Sequence, residues 1–81
     1  MVKVYLYGTA RVQFKEKVVE LDVKNVKELL VKIAERYNVK PKDVKQHLIF
    51  VNEVNIQSLK NYRTELKDGD VVYLLSPASG G

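Results

Sequence analysis

The sequence predicts an α+β fold, a mixed sheet of four to five strands with one main helix packed across it. Three observations carry that expectation. Val2, Val4 and Leu6 alternate with Lys3, Tyr5 and Tyr7 and stop at Gly8-Thr9, the period-two pattern of a strand followed by a turn signal. Val26, Leu29, Leu30, Ile33, Ala34 and Tyr37 recur at spacings of three and four, so they line one side of a helix. Beyond that helix, two short apolar runs bounded by turn formers supply further strands.

Taken in order, residues 2–8 form the first strand. Lys17-Val18-Val19-Glu20-Leu21-Asp22-Val23 forms the second, with Val19, Leu21 and Val23 on one face and Glu20 and Asp22 on the other. The loop between them makes the pair a hairpin. The helix starts at Asn25, whose side chain accepts from a first-turn N–H while Glu28 reaches back, an Asn version of the capping box. Asn38 is its left-handed stop, and Pro41 keeps the chain from continuing as the same helix. The apolar stripe is core, since a helix beside apolar strands must bury one side. His47-Leu48-Ile49-Phe50-Val51-Asn52 is the third strand. Residues 53–66 form a long polar connection with a short strand near Asn55 and with Ile56, Leu59 and Tyr62 as anchors. Lys67-Asp68-Gly69-Asp70 turns the chain, its Gly supplying positive φ, into Val71-Val72-Tyr73-Leu74-Leu75, a fully or mostly buried last strand. Residues 1–75 thus make a single domain, and Ser76-Pro77-Ala78-Ser79-Gly80-Gly81 projects as a flexible tail. A right-handed crossover through the helix places the third strand parallel to one of the first two. A mixed sheet with one helix across it is the β-grasp arrangement.

Composition bounds the function. Eighty-one residues enclose one core, and 46% hydrophobic with 30% charged residues is the balance of a folded chain. With no cysteine there is no disulfide, thiolate nucleophile or cysteine-based metal site. No run approaches the ~20 apolar residues of a membrane span, and the alternating start is unlike a signal peptide, so a soluble, cytoplasmic protein is expected. The net charge is +4, but acids and bases alternate without a block of five like charges. A nucleic-acid partner is therefore not expected.

The inventory for chemistry is thin. One His and three scattered Ser provide no nucleophile beside a base and an orienter. His47 is expected to be structural or solvated, and one His with spaced carboxylates does not supply a metal site. Asp68 and Asp70 flank Gly69 in a turn where Asp side chains bond nearby backbone N–H groups, so the pair reads as structural rather than as a dyad. Tyr5 and Tyr7 lie on the outward face of the first strand, where they offer apolar area with a polar tip to a protein partner. What remains is the tail. Two terminal glycines arise by chance in roughly one chain in 200 at ~7% Gly usage, but here they follow small residues and a buried strand. Without Cβ atoms Gly80-Gly81 can lie extended in a narrow channel and deliver a carboxylate into another protein's active site. A carboxylate is a poor acyl donor until activated, for example as an acyl-adenylate formed from ATP by that partner.

These residues resemble a family, the MoaD/ThiS-type ubiquitin-like sulfur carriers, and most of all the small subunit of molybdopterin synthase. The first strand with Gly8-Thr9-Ala10-Arg11, then Val51-Asn52, Asn55-Ile56, Leu59, Thr64-x-Leu66-x-Asp68-Gly69-Asp70-x-Val72 and Gly80-Gly81 carry the resemblance over nearly the whole chain. It implies a β-grasp fold and a Gly81 carboxylate that an adenylating enzyme activates with ATP and a sulfur donor converts to a thiocarboxylate, Gly80 giving it a slim approach. It implies further that the tail enters the large subunit of molybdopterin synthase, which holds the catalytic side chains, so that the chain is no enzyme on its own and binds no cofactor itself. Tyr7, Arg11, Leu59 and Leu75 match the family's contact strip and, with Pro77 of the tail, are the candidate docking residues. One tail proline where the family commonly has two, and a loop from Arg11 to Glu16 without the usual Glu and Gly, keep related roles open: thiamine synthesis, tRNA thiolation or conjugation to lysines. A β-grasp adaptor with an inert tail is the alternative of a different class.

Overall fold

Five strands form one sheet in the computed structural model, which describes residues 1–76. β1 (Val2–Leu6) and β2 (Val18–Leu21) pair antiparallel with Val4 opposite Val19, the expected hairpin. β5 (Val71–Leu75) runs parallel to β1 and sets Tyr73 beside Tyr5. β3 (Leu48–Val51) pairs antiparallel with β5, Phe50 opposite Tyr73, and the two-residue β4 (Val54–Asn55) closes the far edge against β3. The order across the sheet is β2-β1-β5-β3-β4. β3 therefore runs in the same direction as β2, as the crossover argument requires, while the hydrogen-bonded parallel pair is β1 with β5.

The main helix, α2, spans Val26–Tyr37 as its periodicity predicts. Asn25 Oδ1 accepts from the Glu28 N–H at 2.8 Å, and Glu28 Oε1 accepts in return from the Lys24 N–H at 3.1 Å, one residue earlier than in the usual reciprocal cap. Asn38 stops it at φ 55°. Val26, Leu29, Leu30, Ile33 and Ala34 are buried against the sheet face made by Val2, Val4, Leu6, Val19, Ile49, Val51, Val72 and Leu74.

Two further, short helices join the one main helix that was expected. Residues 8–14, read as a turn and loop, form α1 (Gly8–Phe14), and Pro41 opens α3 (Pro41–Lys45). Each is too short to display a helical stripe: α1 buries only Ala10 and Phe14, and α3 only Val44. Pro41, rightly taken as a barrier to α2, has its fixed φ where a first helical turn needs it. Within the connection to β5, 3-10 turns occupy Ile56–Ser58 and Asn61–Arg63. Ile56 anchors it as expected, but Leu59 and Tyr62 are exposed.

β5 is mostly buried, as expected, but unevenly. Only Val72 and Leu74 are fully buried, whereas Val71, Tyr73 and Leu75 are half-buried. All five residues are apolar or aromatic, so hydropathy alone cannot reveal that one face lacks a covering layer. The expected tail begins at Ser76, whose hydroxyl is bonded to α1. Pro77 to Gly81 lie outside the described residues.

Candidate functional site: an open aromatic sheet face at the root of the tail

Alternation along the strands builds the site. Since α2 takes the even residues of β1 and β5, Tyr5, Tyr73 and Phe50 share one row on the opposite face, with Val18 of β2 at its edge. Continuing the β1–β5 register by one residue sets Tyr7 beside Leu75, and Leu75 pairs with Leu48. Tyr7 is held in this row although β1 has ended, because its N–H donates to Leu74 O at 2.9 Å. Tyr73 stacks on both neighbours, with ring centroids 5.6 Å from Tyr5 and 6.1 Å from Tyr7 and planes within about 22° of parallel. Tyr7 and Val18 remain 42% exposed, so this row presents apolar area to whatever covers it.

The sequence-predicted residues separate into two places. Tyr7 and Leu75 meet on this face, and Arg11 is exposed on α1 immediately after Tyr7. Leu59 stands apart in a groove lined by Val54, Asn52, Thr64 and Asp70, at the start of β5 rather than at its tail end. Pro77, Gly80 and Gly81 lie outside the described residues. Tyr73, Phe50, Leu48 and Val18 complete the face and were missed. A signal for them existed: a single main helix covers only one side of a sheet, so alternate residues of β3 and β5 must face outward.

The polar clusters are structural. Asp70 accepts from Asn52 Nδ2 at 2.9 Å and from the Lys67 N–H at 2.8 Å, while Asp68 binds the N-terminal ammonium, which lowers its carboxyl pKa. Gly69 supplies the turn at φ 90°. His47 is buried. Its Nδ1 donates to Val44 O at 3.1 Å, and its Nε2 finds no partner among the described residues. Glu16 receives the Tyr37 hydroxyl at 2.6 Å and the Arg36 guanidinium at 3.4 Å, bonds that lower its pKa. Among the described residues no cluster of His, Cys, Asp or Glu could hold a metal ion, and no helix is long and apolar enough to cross a membrane.

The model of the ThiS family matches residues 4–81. The chain belongs to the ThiS family. It is thus a ubiquitin-like sulfur carrier of the MoaD/ThiS type with a β-grasp fold, as the sequence motifs implied. No curated protein matches the sequence. Among solved structures it resembles small archaeal modifier protein 1 from Methanosarcina acetivorans at 26% identity, covering 99% of this chain and 95% of that one with a TM-score of 0.87. It resembles a chain in the complex of subunits 1 and 2 of the molybdopterin-converting factor from Helicobacter pylori 26695 at 31% identity, with coverage of 99% and 97% and a TM-score of 0.70. Urm1 from Trypanosoma brucei is 25% identical, with coverage of 99% and 94% and a TM-score of 0.74.

Proposed function

We propose that this ThiS-family chain carries sulfur on the C-terminal carboxylate of Gly81 and donates it in molybdopterin synthesis as the small subunit of molybdopterin synthase. A partner enzyme joins the carboxylate to the AMP moiety of ATP, releasing pyrophosphate. Sulfide released by a sulfur donor then attacks the acyl-adenylate carbonyl, AMP leaves, and the thiocarboxylate remains. Gly80 and Gly81 add no side-chain bulk to the approach. Docking is through Tyr7, Leu75, Arg11 and Pro77, together with Tyr5, Tyr73 and Phe50, while Leu59 serves as a separate contact. The observation that carries this reading is the aromatic face collected at the end of β5, the end from which the reactive residues depart. The molybdenum pathway is favoured over its relatives by the 31% identity to a chain in the two-subunit converting-factor complex.

The second reading, conjugation of the same activated carboxyl to lysine amines, is favoured by the likeness to an archaeal modifier protein. Both readings need Gly81. Its deletion is expected to abolish pyrophosphate–ATP exchange by the adenylating enzyme while the thermal melt is unchanged, and retained exchange would overturn the carrier reading. Intact mass of the protein from its own cells separates the two chemistries. An oxygen-to-sulfur increment on the C-terminal fragment supports sulfur carriage in a reducing cytoplasm, whereas an isopeptide to lysine supports the modifier.

A further inference from the structure

The junction between β5 and the tail holds a contact that the docking face does not explain. Tyr7 stands just before α1, in the position that normally caps a helix, yet its side chain makes no capping bond. Ser, Thr, Asp or Asn there would accept from the second or third helical N–H. The acceptor comes instead from 67 residues away: Ser76 Oγ takes the Thr9 N–H at 2.7 Å and lies 3.3 Å from Thr9 Oγ1, to which it donates. Gly8 makes room for this. A Cβ on Gly8 would collide with the Ser76 hydroxyl, and at φ 57° a side chain there would also be strained. Tyr7 N–H to Leu74 O, at 2.9 Å, closes the ladder just before the clamp. Three neighbouring features, a cap-less Tyr7, a Gly with no room for Cβ and a Ser at the strand exit, thus serve one contact.

We infer that Ser76 is a positioning residue, a clamp that fixes the root of the reactive tail against α1 so that the Gly81 carboxylate starts from a defined point beside Tyr7 and Leu75. This rests on the carrier reading above. Five residues follow Ser76, and fully extended they reach at most about 18 Å. Releasing the clamp moves the last fixed point back to Leu75 and adds one residue to the reach between that point and the carboxylate. The carboxylate then samples more positions that miss the adenylating site, while the sheet face that binds the partner is untouched. The cost falls on turnover and not on association.

The test is Ser76→Ala with Ser76→Thr as the variant that keeps the hydroxyl. With the adenylating enzyme encoded in the same genome, Ser76→Ala is expected to lower kcat for pyrophosphate–ATP exchange about three- to tenfold at unchanged KM, and Ser76→Thr to restore most of it. Unchanged kcat, or a rise in KM alone, would overturn the clamp, the latter marking Ser76 as a docking contact. Amide hydrogen exchange separates this result from failure of the carrier reading. In Ser76→Ala the Thr9 amide should lose protection while the α2 and β1 amides keep theirs, and equal Thr9 protection in both proteins would overturn the clamp whatever the enzymology. A parent chain that no adenylating enzyme accepts would overturn the carrier reading, and the positioning role of Ser76 with it, even where Ser76→Ala releases the Thr9 amide.

Discussion

The two faces of the sheet share strands and, along β5, nearly the same hydropathy, yet they have opposite fates. Beneath α2, Val4, Leu6, Val72 and Leu74 are at most 1% exposed. One residue along on each strand, Tyr5, Tyr73 and Leu75 are half-covered, the two tyrosines stacked on one another. The covered face uses β-branched and aliphatic side chains that interdigitate with a helix. The open face uses tyrosines, whose rings stack in the absence of a second layer and whose hydroxyls tolerate water until a partner arrives. The difference teaches that burial here follows the supply of covering layers and not side-chain character, because one long helix can cover one face only.

The comparison is broken most directly at its centre. Leu30 is 1% exposed under the covered face, and Leu30→Ala should cost about 2 to 5 kcal/mol in urea unfolding with an unchanged m-value. A cost near zero would mean that α2 does not form the core. Tyr73→Ala sharpens the contrast from the other side. It removes two stacked contacts on a half-exposed ring, so stability should fall by only about 1 kcal/mol, while affinity for the adenylating enzyme falls at least about tenfold, as expected of an aromatic anchor at an interface. A destabilisation as large as that of Leu30→Ala would make the open face a second core. Unchanged affinity would remove it from the docking surface.

Elements with long, regular periods were legible in the sequence, and so was the family. α2, its Asn25 cap, its Asn38 stop and the β1–β2 hairpin follow from periodicity and capping chemistry alone. α1 and α3 do not, because a helix of five or seven residues buries one or two side chains, too few to show a period. For the candidate site, the family resemblance singled out Tyr7 and Leu75, which the fold sets side by side, but Tyr73 was absorbed into a strand read as fully or mostly buried. Leu59 shows the converse. Its place in the motif string says nothing of distance, and folding sets it at the far end of β5 from Leu75. The Ser76–Thr9 contact spans almost the whole chain, and no local pattern announces a cap supplied from 67 residues away.

The smallest expected effect lies outside both faces, where Phe14 and Tyr37 stack at 4.3 Å and Tyr37 donates to Glu16. Burial, followed by the bond to Glu16, pushes the Tyr37 phenol from 10.0 up to about 12. The unfolded chain therefore ionises Tyr37 first, and this part of the stability is complete below about pH 10 and lost as pH rises toward 12. Glu16 has the opposite sign. Bonds from Tyr37 and Arg36 hold its carboxyl below 4.5, so its contribution is present above that pH and fades as acid protonates it. Tyr37→Phe keeps the ring stack and removes the hydroxyl, so the stability gap between parent and variant should be widest on the plateau between these limits. Because the bond lies near the surface, the gap there should be only about 0.5 kcal/mol. Urea melts of both proteins at pH 3.5, 7 and 11.5, taken as flanks and centre of the window, should show that gap shrinking on each side, more on the alkaline one. A constant gap across the three would mean that Tyr37 stabilises through packing alone, making this edge of α2 an extension of the covered face rather than a polar clasp.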